Sequence, residues 1–71
     1  MDLNENTALY SALENSIRNI HFEIHAIYEP EENGWYCAAV DLFKPGLTFK
    51  LYFTLENGEI SVRDLARWWF G

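Results

Sequence analysis

Between Phe22 and Leu55 the chain repeats one pattern, an alternation of apolar and polar residues interrupted at intervals by a glycine turn. Phe22, Ile24, Ala26 and Tyr28 alternate with Glu23, His25, Ile27 and Glu29, and Leu47, Phe49, Leu51, Phe53 and Leu55 alternate with Thr48, Lys50, Tyr52 and Thr54. "WYCAAVDLF" at 35–43 stands between them. A side-chain period of two is the period of a β-strand, and one apolar row per strand describes a sheet covered on one face. Asn33-Gly34, Pro45-Gly46 and Asn57-Gly58 supply the turn chemistry between strands. The pattern predicts an antiparallel meander.

Agreement of the apolar faces selects a register. A two-residue Asn33-Gly34 loop would set Ala26 opposite Asp41 and place a carboxylate among apolar neighbours. A three-residue Glu32-Asn33-Gly34 loop, with Gly34 left-handed, instead pairs Tyr28 with Ala38, Ala26 with Val40 and Ile24 with Leu42. The same criterion pairs Leu42 with Phe49, Val40 with Leu51 and Ala38 with Phe53. Asn57-Gly58 then sets Leu55 opposite Ile60, in a short fourth strand or strand-like return.

Helical spacing flanks the meander. Leu9, Leu13, Ile17 and Ile20 form one stripe of a helix predicted over 4–20, with Asp2 or Asn4 as its cap. After Ser61, a second potential cap, Val62, Leu65, Ala66 and Trp69 cluster on one side of a short helix, with Phe70 at the border and Trp68 turned away over the rim. The expected fold is therefore α+β: an N-terminal helix, a three- to four-stranded antiparallel meander and a short C-terminal helix, both helices on one sheet face, forming a single domain over 1–71. In element order alone this is similar to the double-stranded-RNA-binding domain. Such domains read RNA with basic residues at the start of their second helix, whereas "SVRDLARWWF" sets Asp64 between Arg63 and Arg67, so RNA binding is not carried over.

A 49% hydrophobic, 17% aromatic composition in 71 residues is that of a folded chain. No apolar run approaches the ~20 residues of a membrane span, and "MDLNENTALY" lacks the character of a signal peptide, so a cytoplasmic location is expected and a membrane partner is not. Cys37 is the only cysteine, which excludes an internal disulfide and a cysteine-cluster zinc site. Charge is uneven: residues 1–32 carry seven carboxylates against Arg18, and residues 33–71 carry four against four bases, so the net −6 sits in the first half. That half repels a phosphate backbone and attracts a basic protein surface.

The selected register sets His25, Asp41 and Lys50 in one row of the uncovered face, then Ile27, Ala39 and Tyr52, then Glu29, Cys37 and Thr54. A carboxylate beside a histidine begins general-base chemistry, but Cys37, two rows off at roughly 13 Å, is too far to be activated. His21 and His25 on a strand are equally far apart and cannot share an ion. No catalytic residue, metal or cofactor is expected. Ile27, Trp35, Phe43 and Tyr52 form an aromatic strip on the open sheet face suited to a protein partner or, sheet to sheet, to a homodimer, and Trp68, on the rim of the last helix, is a second candidate contact point for a partner. Glu23, Glu29, Glu31 and Glu32 form an acidic patch. The functional expectation is a small, acidic, non-enzymatic protein-binding regulator or inhibitor of bacterial or phage type, with no direct nucleic-acid contact. The alternative is an acidic mimic of nucleic acid that blocks a basic groove.

Overall fold

A computed structural model describes residues 5–30 and 32–68. Among these residues one helix, α1 (Glu5–Ser16), is followed by four strands, β1 (His21–Tyr28), β2 (Tyr36–Phe43), β3 (Thr48–Glu56) and β4 (Glu59–Arg67). All neighbours are antiparallel and the sheet order is β1-β2-β3-β4, so every connection is a hairpin. The expected meander is present, and among the described residues no helix is long and apolar enough to cross a membrane.

The core lies on one side of this sheet. Leu9 of α1, Ala38, Val40 and Leu42 of β2, and Leu51 and Phe53 of β3 form one buried cluster, against which Leu13, Ile17, Phe22, Ile24, Ile27, Tyr36, Phe49 and Ile60 pack. Leu9, Leu13 and Ile17 carry the helical stripe as expected. Ile20 does not: Asn19 takes a left-handed φ of 64° just beyond the helix end, and Ile20 is left exposed. Asp2 and Asn4 lie outside the described residues.

Two corrections follow from edge-strand bulges. The C-terminal helix expected from Ser61 onward is strand β4, the last ladder of the sheet. Its pairing runs from Leu55–Ile60 to Phe53–Val62, shifts at Arg63, and resumes with Tyr52–Asp64 and Leu51–Leu65. The extra residue brings Val62 and Leu65, three positions apart, to the same face. Three-residue spacing therefore imitates a helical stripe. Trp69 and Phe70, expected as docking residues of that helix, lie outside the described residues.

In β1 the pairing is Ile27–Ala38 and Ala26–Ala39 near the loop and Ile24–Val40 and Phe22–Leu42 beyond it, with the shift at His25. The predicted register required Ala26 and Tyr28 on the core side. The bulge sends Ile27 there instead and leaves Tyr28 exposed on the opposite side. β2 and β3 keep their expected faces but slide by two residues, so that Val40 meets Phe49 and Ala38 meets Leu51. A tight connection causes the slide. The Leu47 N–H donates to the Lys44 carbonyl across Pro45-Gly46, Gly46 has φ +88°, and the Leu42 N–H donates to the Leu47 carbonyl. At the last hairpin Asn57 and Gly58 both take positive φ, 53° and 80°, which suits a two-residue turn, and Leu55 faces Ile60 as expected.

Candidate functional site

The face turned away from the core carries two neighbouring features. The first is a concavity of about 460 Å³ lined by Tyr28, Glu29, Asn33, Trp35, Cys37, Lys50, Tyr52 and Trp68. Its floor follows from pairing, since Tyr28, Cys37 and Tyr52 stand in one cross-strand row and Ala39 lies beside Lys50 in the next. Small residues on β2 leave room above it for rings rooted on its neighbours. The Trp68 indole is bracketed by the Tyr28 ring, 6.3 Å between centroids, and the Lys50 ammonium, 5.2 Å from the indole centroid. Trp35 and Tyr52 form a second tilted pair at 6.4 Å. Local bonds fix both tryptophans: the Trp35 N–H donates to Asn33 Oδ1, and the Trp68 N–H donates to the Thr48 carbonyl, extending the β3–β4 ladder by one residue.

The second feature is centred on Asp41, which is only 3% exposed although it lies on the side away from the core. Its carboxylate accepts three hydrogen bonds, from Thr48 Oγ1 at 2.6 Å, the Gly46 N–H at 2.9 Å and His25 Nε2 at 2.9 Å. The Thr48 hydroxyl and then the Gly46 amide favour the ionised form. Together with His25 they outweigh burial and bring the Asp41 pKa from 3.8 down to about 2. Glu23 is the direct register partner of Asp41, and its Oε2 lies 4.0 Å from His25 Nε2.

Of the residues expected on this face, Trp35 and Tyr52 meet at the concavity, where Trp68, expected on a helix rim, joins them, and Glu29 stands at its rim. Trp68 arrives there from the end of a strand and not from a helix rim. Ile27 is turned into the core. Phe43 packs edge-on against Phe49, a core-side residue, at 6.2 Å, and holds a left-handed φ of 80° that breaks the alternation of β2. Lys50 pairs with Ala39 and reaches Trp68 instead of joining Asp41. Glu23 and Glu32 are exposed, and Glu31 lies outside the described residues. Tyr28, Lys50 and Cys37 belong to the concavity without having been singled out for it. Tyr28, expected on the core side opposite Ala38, comes to the outer face opposite Cys37 because the bulge two residues beyond Glu23 reverses its face.

Compared with protein-family models, curated proteins and solved structures, the chain finds no match.

Proposed function

We propose that the chain is a small, acidic, non-enzymatic binding module whose contact site is the aromatic concavity on the outer sheet face, and that it acts as a regulator or inhibitor of a protein partner with a basic surface. The observation that carries this reading is the convergence of Tyr28, Trp35, Tyr52 and Trp68 around about 460 Å³ of open space. Aromatic side chains bury much area at little entropic cost, and they dominate the energetic centres of protein interfaces. The volume suits an inserted side chain or short segment. Charge supplies the partner's sign: Glu29 stands at the rim, Glu32 is exposed on the same connection, and the first 32 residues hold the whole net charge. Such an arrangement favours an apolar or aromatic anchor flanked by lysine or arginine.

The non-enzymatic part of the reading rests on the Asp41 cluster. Cys37 lies four residues along β2 from Asp41, roughly 13 Å away by strand rise, beyond activation by His25.

The test begins with affinity purification from native cells to identify the partner, followed by calorimetry on the purified pair. Trp35→Ala with Trp68→Ala should weaken binding by 30-fold or more, which is about 2 kcal/mol. Affinity should fall by no more than about tenfold between low and moderate salt, because the exposed rim charges are screened while the aromatic contact is not. A partner that binds the double variant as tightly as the parent refutes the reading. A fall of orders of magnitude with salt, abolished by reversing Glu29 and Glu32 to lysine, would instead support charge mimicry of nucleic acid.

A further inference from the structure

We propose that Glu23, His25 and Asp41 form a binding site for one divalent transition-metal ion of the zinc type, held by the His25 imidazole and an oxygen from each carboxylate. The site is separate from the aromatic concavity, and the assignment of the concavity as the partner-binding site does not depend on it. One ligand atom from each of the three residues lies within 4.8 Å of the other two. Nε2 of His25 stands 2.9 Å from Asp41 Oδ1 and 4.0 Å from Glu23 Oε2. With metal–ligand bonds of about 2.0–2.2 Å, two donors of a tetrahedral ion are about 3.4 Å apart. The two separations bracket that distance, so small rotations of exposed side chains complete the geometry.

Chain construction explains the convergence. A regular β1 would carry His25 one full pleat beyond Glu23, but the bulge at His25 keeps its ring beside the Glu23–Asp41 pair. Asp41 is held in place by Thr48 Oγ1 and the Gly46 N–H, the kind of outer hydrogen bonding that orients a ligating carboxylate. The ion would take the position of the proton between Nε2 and Asp41 Oδ1, and the ring proton would move to Nδ1. Glu23 and His25 have side chains 57% and 45% exposed, so an ion reaches them from solvent without unfolding. An imidazole with two carboxylates favours zinc and its neighbours over magnesium or calcium, which prefer all-oxygen sites. Three protein donors leave a fourth position for water.

Calorimetric titration of the EDTA-treated full chain with zinc chloride should give one saturable site. His25→Ala should weaken it by at least about tenfold and Glu23→Gln should weaken it as well, while Cys37→Ser should leave it unchanged. Zinc should move the ring-nitrogen NMR resonance of Nε2 in His25, and not those of His21, in the unmodified protein, a readout independent of whether any variant folds. Cobalt should give ligand-field bands without a thiolate charge-transfer band. Absence of saturable zinc binding, equal binding by a folded His25→Ala, a shift confined to His21 or a thiolate band would each overturn the proposal.

Discussion

His25 and Asp41 are in contact at 2.9 Å although they are not register partners: Glu23 faces Asp41, and His25 is the residue that β1 leaves unpaired between Ile24 and Ala26. In a regular ladder with Glu23 opposite Asp41, His25 would be only a diagonal neighbour of Asp41, and the bulge is what accompanies their direct contact. The same carboxylate ties β2 to the following turn through Gly46 and to β3 through Thr48.

Acid should loosen that tie. The Asp41 pKa is lowered to about 2 in the folded chain, so its contribution to stability is complete above the ordinary value of 3.8 and disappears as pH falls from there through about 2. Urea midpoints in EDTA-containing buffer should fall more steeply across that window for the parent protein than for Thr48→Val. Parallel curves for the two proteins would show that the Thr48 hydroxyl does not hold the carboxylate ionised.

Phe53 and Leu9 are fully buried, one at the centre of the sheet and one on the helix. Phe53→Ala should cost about 3–5 kcal/mol and Leu9→Ala about 2–5. Domains of this size hold only ~3–5 kcal/mol in total. Either variant should therefore lose its cooperative thermal transition, followed by circular dichroism. Tyr10→Ala, at a residue 53% exposed, should retain it.

Phe43 ends β2 with φ at 80°, a conformation hostile to β-branched residues. Phe43→Val raises strand propensity and should nevertheless destabilise the protein by about 1–2 kcal/mol in a urea melt. Phe43→Asn, which tolerates the left-handed region, should lose less than Phe43→Val. The reverse ranking would mean that contact with Phe49 outweighs backbone conformation.

Trp68 is half-buried outside the core, so Trp68→Ala should lower stability by only about 1 kcal/mol, well short of the loss for Phe53→Ala. This makes it usable in binding tests. Quenching by acrylamide should also fall on the remaining tryptophans once a partner fills the concavity.

Strands β1 to β3, the first helix and the Leu55–Ile60 pairing are legible in the sequence because each carries its own period or turn residues. The last strand is not. β4 is an edge, exposed at Val62, Arg63, Asp64, Leu65 and Ala66, so burial imposes no alternation on it. Its bulge spaces Val62 and Leu65 as a helix would, just as the β1 bulge spaces Ile24 and Ile27. The outer-face residues suffered most, since one inserted residue reverses every side chain beyond it. That is why Ile27 was expected outside and Tyr28 inside. Trp35 and Tyr52, on runs without such an insertion, could be placed by parity alone.

Both outer strands of the sheet carry an interruption, His25 on β1 and Arg63 on β4, and each extra residue turns a charged or ionisable side chain to the outer face, His25 to Asp41 and Arg63 to Thr54 and Glu56. A strand with a break in its ladder is a poor template for further pairing. A chain with this much strand and this many aromatics would otherwise be prone to stack edge to edge into fibrils. Interrupting both margins closes the sheet against growth in its own plane and leaves its broad surface as the direction from which another molecule can approach.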